Sequence, residues 1–187
     1  MKLNKETEEK LKAEVLKYLE KTKPGWGIPH TLASVYWIRK LIEKEGGDER
    51  ILISTMYLHD IGYPRLRKGY SFDEVMQVKA EHIVRGVKIS KKILKKLRYS
   101  SSEINKIVHL IEIHDKLDEI SAKDEILVME ADSLAQIDTE RVTPNLDREN
   151  HLKFLKHFKE ERMPKFKTQT GKKFLKQLLP IVENYFN

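Results

Sequence analysis

The segment ILISTMYLHDIGYP, residues 51–64, is an apolar run that leads into a histidine–aspartate pair, His59 and Asp60. His30 precedes this segment, and Asp132 lies in a second apolar run far downstream. An ionised carboxylate among apolar side chains is costly unless a cation compensates its charge. Two imidazoles and two carboxylates in such surroundings can share one divalent metal ion, so the pattern predicts a metal-dependent hydrolase.

Helical periodicity extends in both directions from this segment. Apolar residues recur at spacings of three and four, and no stretch shows sustained alternation, so the predicted fold class is all-α. Turn-forming residues separate the predicted helices, as at Gly46-Gly47 and at the Gly62-Tyr63-Pro64 turn. The predicted helices cover about residues 4–22, 30–45, 48–61, 72–97, 101–116, 123–138, 147–162 and 170–186.

Length and composition predict one well-solvated domain. The chain has 187 residues, and roughly 100–200 residues per domain is usual. We expect a motif-bearing core over about residues 25–140 and a C-terminal helical extension over about 147–187. No stretch approaches the ~18 apolar residues of a membrane span, and the acidic, amphipathic start is unlike a signal peptide. The sequence therefore predicts a cytoplasmic protein without a membrane partner.

The charge pattern limits the partners and the type of metal site. The chain contains no cysteine, which excludes disulfides and thiolate zinc sites and leaves His, Asp and Glu as ligands. The net charge of +7 favours anions such as phosphorylated substrates. The lysine-rich runs KISKKILKKL and TGKKFLKQL are typical of solvated helix faces, so nucleic acid is not the favoured partner. Apolar periodicity in the C-terminal helices allows a homodimer.

Helical geometry predicts two further inward histidines. His82 lies on an apolar stripe of its helix, and Gly86 on the same stripe permits close approach of a neighbouring element. His114 also falls on an apolar stripe, whereas His109 is nearer the polar side and is left out of the candidate site. Asp115 is expected to be a solvated carboxylate at a helix end.

Each candidate ligand also has a purely structural interpretation. Asp60 suits turn chemistry in the Asp-Ile-Gly sequence, and Asp132 could be a buried acid held by hydrogen bonds. A lone inward histidine is more often a core residue than a ligand, so His82 and His114 are each left open between the two roles. The metal interpretation is favoured because both structural interpretations of the carboxylates would have to hold together.

The order of these residues resembles the HD-domain superfamily of metal-dependent phosphohydrolases over roughly residues 25–140. The matching segments are PHTLASVYWI, MYLHDIGYP and VMEADSLAQID, and the EHIVRG and IVHLIEIHD segments are similar to small single-domain members with additional inward histidines. The resemblance implies one divalent ion, which could be manganese, iron, nickel, cobalt, zinc or magnesium. Its implied ligands are His30, His59, Asp60 and Asp132.

The resemblance also implies a two-ion arrangement, in which Asp60 bridges both ions and His82 and His114 complete the second site. If only one ion binds, Glu81 and His82 become the candidates for proton transfer beside the catalytic Asp60, with His82 preferred. Cationic side chains near the motifs in sequence are candidates for binding the substrate phosphate. These cations are Arg65, Arg67, Lys68 and Arg85.

Two functions from different classes remain. The first is hydrolysis of a nucleotide or other small phosphate ester or anhydride by metal-activated water. The alternative is a catalytically inactive regulatory module that binds a metal or a nucleotide on the same scaffold. The complete set of four candidate ligands favours the enzyme. Monoester, diester and pyrophosphate cleavage all stay open.

Overall fold

Nine α-helices and no strand make up the part of the chain that this computed structural model describes, residues 2–186. This architecture confirms the all-α prediction. A π-helical turn, Phe158–Arg162, and a short 3-10 turn, Met163–Lys165, follow the eighth helix. The helices are α1 (Lys5–Leu19), α2 (Gly27–Glu45), α3 (Glu49–Leu58), α4 (Phe72–Gln77), α5 (Lys79–Lys96), α6 (Ser101–Ile113), α7 (Lys123–Ile137), α8 (Arg148–His157) and α9 (Gln169–Glu183).

The helices α2, α3 and α7 form the centre of the bundle. The α3 side chains from Ile51 to Leu58 are all buried, and most of α7 is buried as well. A helix that is covered on all sides belongs in the interior, and α3 accordingly packs against α1, α2, α6 and α7. The apolar run identified in the sequence is therefore the central helix of the fold.

The region predicted as one helix over 72–97 is two helices in the structure. A capping box between Ser71 and Glu74 begins α4, which ends after one and a half turns. At Val78 the backbone leaves the helical region, with φ −95° and ψ 2°, before α5 begins. Because of this break, α4 need not continue the axis of α5, and it packs against both α5 and α8.

The C-terminal segment covers the bundle from outside. Here α9 packs against α7 and α2, while α8 packs against α4. The buried carboxylate of Glu130 on α7 accepts hydrogen bonds from the backbone of Lys167 and Thr168, which fixes the start of α9. Within residues 2–186, none of the helices combines the length and the apolar character that crossing a membrane requires.

Candidate metal centre and cleft

Imidazoles and carboxylates from five helical segments meet at one end of the central helices. All of the metal ligands predicted from the sequence lie in this cluster, and each is almost fully buried. Asp115 belongs to it as well. The members are His30 in the first turn of α2, His59 and Asp60 after α3, His82 in the first turn of α5, His114 and Asp115 after α6, and Asp132 in the middle of α7.

One part of the cluster has the spacing of ligands that share an ion. His30 Nε2 lies 3.2 Å from His59 Nε2 and 3.0 Å from Asp132 Oδ1. His59 Nε2 lies 3.5 Å from the same Asp132 oxygen. Two donors at about 2.1 Å from one ion lie roughly 3.0–3.4 Å apart for octahedral to tetrahedral angles, so these atoms fit a common metal.

Asp60 joins this part of the cluster to the other histidines. Its Oδ1 lies 3.7 Å from His59 Nε2, 3.5 Å from His82 Nε2 and 3.9 Å from His114 Nε2. Its Oδ2 lies 3.6 Å from His30 Nε2. Asp60 is thus shared by two candidate ligand groups, one with His30 and His59 and one with His82 and His114.

The two histidine–aspartate pairs repeat one local arrangement. His59 is the C-cap residue of α3, and His114 is the C-cap residue of α6. Each imidazole donates from Nδ1 to the carbonyl three residues earlier, Met56 O at 2.8 Å and Ile111 O at 2.7 Å. With the proton on Nδ1, the neutral imidazole presents the lone pair of Nε2 to the carboxylates, which is the tautomer that a metal ligand needs.

Some buried imidazole nitrogens in the cluster are not satisfied by the protein. Both ring nitrogens of His82 and the Nδ1 of His30 have no hydrogen-bond partner among the described residues. Buried polar atoms normally have partners, so an unsatisfied Nε2 that faces carboxylates is a mark of a ligand site. Tyr63 holds the His82 ring from the other side by stacking at 4.1 Å between centroids. The donor set therefore fits a divalent ion.

The buried charges of the cluster also shift the pKa values of its members. Burial opposes ionisation of Asp60, but Lys23 and His59 outweigh it and hold the pKa of this carboxyl well below its usual range. Burial likewise opposes protonation of His59, yet Asp60 and Asp132 raise its pKa to about 9. Burial lowers the pKa of His82 to about 4. A proton on His59 and a divalent ion are two alternative sources of the positive charge that the carboxylates attract.

Asp115 was predicted to be solvated, and this prediction is wrong, because its side chain is only 6% exposed. Its Oδ2 faces His82 and His114 at 3.9 and 3.6 Å. Its Oδ1 lies 3.2 Å from Lys79 Nζ and accepts a hydrogen bond from Arg162. Burial raises the pKa of this carboxyl, but His114 and Arg162 outweigh burial and bring it down to about 2.

Each carboxylate of the cluster pairs with a cation through one oxygen and presents the other to imidazoles, and in Asp60 the cation-paired Oδ2 also lies 3.6 Å from His30 Nε2. Asp60 Oδ2 lies 3.1 Å from Lys23 Nζ, and Asp132 Oδ2 accepts from Arg162 Nη1 at 2.8 Å. The same division holds for Asp115. Three cations thus balance three carboxylates when the imidazoles are neutral. An added divalent ion would leave an excess of positive charge, which attracts an anion.

The side chains predicted from sequence to bind phosphate lie outside this cluster. Arg67 pairs with Glu74, while Glu81, the second candidate for proton transfer, is exposed and lies 3.7 Å from Arg85. Arg65 is also exposed, as is Lys68. The residues that face the cluster instead are Lys23 from the α1–α2 loop, Lys79 at the start of α5 and Arg162 from the π turn.

A glycine sets how closely the first histidine–aspartate pair approaches α5. A Cβ atom on Gly62 would lie 1.9 Å from the carbonyl oxygen of His82 and 2.3 Å from the amide nitrogen of Gly86. A Cβ on Gly86 would have no contact with a neighbouring element closer than 3.6 Å. The close approach expected at Gly86 therefore exists, and Gly62 is the residue that must lack a side chain.

The cluster opens into a cleft of about 850 Å³, counting the part open to solvent. Lys23, Lys79 and Arg162 line the cleft together with the carboxylates, so an anion entering it meets cations beside the candidate metal ligands. The remaining wall is mostly apolar, and we refer to it as the apolar chamber. The chamber consists of Trp26, Tyr70, Phe72, Val75, Met76, Leu146 and Phe154.

The fold and the site define a helical protein with a candidate divalent-metal centre. A family model described as HD domain matches residues 27–137, more than half of the chain, and the protein belongs to the HD-domain family. This family is one of metal-dependent phosphohydrolases. No curated protein and no solved structure matches the chain. The matched region contains all of the cluster, whereas Lys23 and Arg162 lie outside it.

Proposed function

We propose that this protein hydrolyses a small phosphate ester or anhydride with the help of a divalent metal, and that its substrate is a nucleotide. One observation carries the proposal: a buried cluster of imidazoles and carboxylates opens into a cleft whose polar side holds three cations. Metal ligands alone would suit a structural ion. The combination with cations at the mouth of the cluster favours binding and reaction of a phosphate.

The first ion would be held by His30, His59, Asp60 and Asp132, whose donor atoms lie within reach of one another. A second ion would use Asp60 with His82 and His114, and Asp115 is placed to join it. A bound divalent ion supplies a Lewis acid that polarises a phosphate oxygen and lowers the pKa of a water molecule. Imidazole and carboxylate donors suit manganese, iron, cobalt, nickel, zinc or magnesium.

The three cations have two tasks in this proposal. Without substrate, these cations neutralise the three carboxylates: Lys23 pairs with Asp60, Lys79 with Asp115, and Arg162 with Asp132. With a metal bound, part of that neutralisation comes from the ion, and the cations are free to attract the phosphate oxygens. Hydrogen bonds to Asp132, Ser133 and Asp115 fix the guanidinium of Arg162. It would therefore orient the phosphate from a set position and would not move with it.

His82 is the favoured residue for proton transfer if a single ion binds. Its low pKa, caused mainly by burial, keeps the imidazole neutral at pH 7, so it can accept a proton. Its Nε2 faces Asp60 and Asp115, and the stacked Tyr63 ring fixes its orientation. Glu81 is exposed on the outer face of α5 and has no comparable position.

The first experiment measures metal content by plasma mass spectrometry, on protein purified without an affinity tag and again after reconstitution with manganese. Asp60→Ala should lose the metal and at least about 10³-fold in the rate of phosphate release, which equals about 4 kcal/mol of barrier. His109→Ala is the matched control, because His109 pairs with Glu125 away from the cluster. It should keep both properties.

The stoichiometry distinguishes the two arrangements. About one ion per chain would favour the four-ligand site with His82 in proton transfer, and about two would assign His82 and His114 to a second ion. Absence of bound metal in both preparations would refute the proposal. Metal binding and ligand-induced stabilisation without any product would favour the regulatory module.

A further inference from the structure

The positive charge of the chain is concentrated on one helix. Residues 79–98, which contain α5, include eight lysines and arginines and one glutamate, so this segment alone carries the net charge of the whole protein, +7. The remaining residues are neutral overall. We propose that a groove along α5, outside the cleft, binds single-stranded nucleic acid through its phosphates and the face of a base.

The groove lies between the C-terminal half of α1 and α5. Because α1 packs mainly against α2 and α3, space remains between these two helices. The groove encloses about 750 Å³, which is in the upper part of the roughly 300–1,000 Å³ that holds drug-sized ligands. It shares only Tyr63 with the lining of the cleft. The groove is therefore a separate site with room for more than a single phosphate group.

Cations line both sides of this groove. Lys17 and Lys21 come from α1, Arg85 from α5, and Arg65 from the segment that follows α3. Among the described residues, Lys21 and Arg65 pair with no carboxylate. Arg85 Nη1 lies 3.7 Å from Glu81 Oε1, in a pair that is exposed on both sides. Three of the four cations are thus accessible to an anionic ligand.

Two carboxylates in the lining offset part of this charge. Glu14 accepts a hydrogen bond from Lys17 at 2.6 Å and lies 3.1 Å from Lys96, so its charge is already compensated. Glu20 is exposed and offsets one further cation. The lining retains an excess of two positive charges, and an anion is the complementary ligand.

Helical spacing extends the positive side of the groove along α5. Arg85, Ile89, Lys92 and Lys96 occur at i, i+4, i+7 and i+11, so they share one face of the helix. At a rise of 1.5 Å per residue, this row is roughly 16 Å long. The sequence alone is typical of a solvated helix face, and the structure adds the groove along its edge. A row of cations beside a groove fits a linear polyanion better than a flat membrane surface.

An aromatic side chain distinguishes nucleic acid from other linear polyanions. Tyr18 lines the groove beside Lys17 and is 38% exposed. Its ring stacks on no other ring among the described residues. Proteins bind single strands by combining a positively charged groove with aromatic rings on which bases stack. Because the bases of a duplex are already stacked on one another, an exposed Tyr18 favours a single strand.

The test is fluorescence anisotropy of a labelled oligothymidine of about 12 nucleotides, titrated with the protein in chelator so that the metal centre takes no part. The cations available to phosphates are Lys21, Arg65, Arg85 and Lys92. Each phosphate contact with a single strand contributes about −0.7 to the slope of log affinity against log salt, so we expect a slope of about −3. Between about 50 and 200 mM salt, the affinity should fall by about 50-fold.

Two double variants that remove the same charge locate the binding site. Arg85→Gln with Lys92→Gln should reduce the slope to about −1.5 and weaken binding by more than about 10-fold at about 100 mM salt. The matched control is Lys172→Gln with Lys176→Gln, which takes two charges from the lysine-rich run of α9 and should keep the slope. All four side chains are exposed, so neither double variant should unfold the protein, and thermal unfolding checks this directly.

Tyr18→Ala tests the contact with a base. It should weaken the binding of oligothymidine by at least about 5-fold without changing the salt slope, and Tyr18→Phe should restore the affinity. Inorganic polyphosphate of about the same length carries phosphates without bases. Its affinity, measured by competition with the labelled oligothymidine, should be the same in Tyr18→Ala as in the parent protein.

Four results would overturn the inference. The first is absence of oligothymidine binding at about 50 mM salt. The second is an equal loss in the α9 double variant, because net charge alone would then explain the binding. The third is unchanged affinity in Tyr18→Ala, which would leave a groove that binds phosphates without bases. The fourth is binding of vesicles of phosphatidylglycerol and phosphatidylcholine in place of oligothymidine, lost in the α5 double variant, which would assign this face to a membrane.

Discussion

The imidazole side and the cation side of the site are built in different ways. The imidazole side consists of the four histidines of the cluster, which all lie within the matched HD-domain region. The cation side consists of Lys23, Lys79 and Arg162, two of which lie in segments that flank that region. Membership in the family therefore covers the candidate metal ligands, while the flanking segments supply two of the three cations that our proposal assigns to the substrate.

The two sides also differ in what fixes their side chains. His59 and His114 are oriented by carbonyls of their own helices, only three residues away. Arg162 is oriented by Asp132 and Asp115, which are 30 and 47 residues away in sequence. Local hydrogen bonds form with the helix, whereas distant ion pairs form only when the C-terminal segment docks. Loss of a cation should consequently disturb the charge balance around the imidazoles. Loss of an imidazole should disturb the cation side less.

The largest effect is expected for Arg162→Met. The substitution leaves Asp132 and Asp115 buried without their shared cation, and breaking such a pair typically costs about 3–5 kcal/mol in the free energy of unfolding. Because Arg162 also orients the candidate ligand Asp132, metal affinity should fall by about 10–100-fold. Urea unfolding in chelator and in excess manganese measures both effects, and manganese should recover part of the lost stability.

Lys165→Met is the matched control for this change. Lys165 lies three residues further on and pairs with Asp118, which is 94% exposed. Exposed pairs contribute little, so the unfolding midpoint should match that of the parent protein. If both variants were equally stable, the buried ion pairs would not support the imidazole side.

A smaller effect is expected for Gly62→Ala, which acts on the imidazole side alone. The added methyl group would collide with the backbone of α5 beside His82, and overpacking of this kind typically costs about 1–3 kcal/mol. It should also separate Asp60 from His82 and thereby lower the affinity for a second ion more than the affinity for the first. Metal titration followed by thermal unfolding of the loaded protein distinguishes these effects.

Gly86→Ala provides the comparison within the same contact. A Cβ there meets the neighbouring turn only at ordinary van der Waals distances, and alanine favours a helix over glycine by about 0.5–1 kcal/mol. We expect Gly86→Ala to be neutral or slightly stabilising and to bind metal normally. Equal losses in the two variants would contradict the assignment of the close approach to Gly62.

The smallest effect concerns His151 on α8, which faces the cleft and contacts the chain end through Val182 O and the Phe186 ring. Burial lowers the pKa of His151 below its usual 6.5. The unfolded chain therefore takes up this proton more readily, so the contribution of neutral His151 is complete above about pH 6.5 and is lost as the pH falls below it. His151→Gln removes this dependence.

Thermal unfolding at pH 7.5 and at pH 5.5 measures the effect. Between the two pH values, the midpoint of the parent protein should fall by about 2 °C more than that of His151→Gln. Titration of other groups affects both proteins alike and cancels in the comparison. If the unfolding midpoints of the two proteins fell equally, His151 would not contribute to the pH dependence of stability.

The sequence predicted the imidazole side because its signals are local. Helical spacing placed His82 and His114 on inward faces, and the structure confirms the inward positions. His59, Asp60 and Asp132 stand within apolar runs, and this position indicated that they are buried. Asp115 could have been found too, since MYLHD at 56–60 and IEIHD at 111–115 end their helices in the same way.

The cation side could not be predicted in this way. Arginine and lysine make up 36 of the 187 residues, so proximity in sequence to the motifs selected Arg65, Arg67, Lys68 and Arg85, all of which are exposed. The apolar face of α4 likewise resembled the start of a longer helix, because the break at Val78 leaves the periodicity of the sequence intact.

The sequence by itself determined the helical class, the central apolar helix and the inward positions of the four histidines, Asp60 and Asp132, because helix formation and burial depend on neighbours within a few residues. Only the tertiary structure decided which cations meet those carboxylates and which apolar face lines the cleft. Lys23, Phe72 and Arg162 come to line one cleft through the packing of distant segments, which no repeating pattern along the chain reveals.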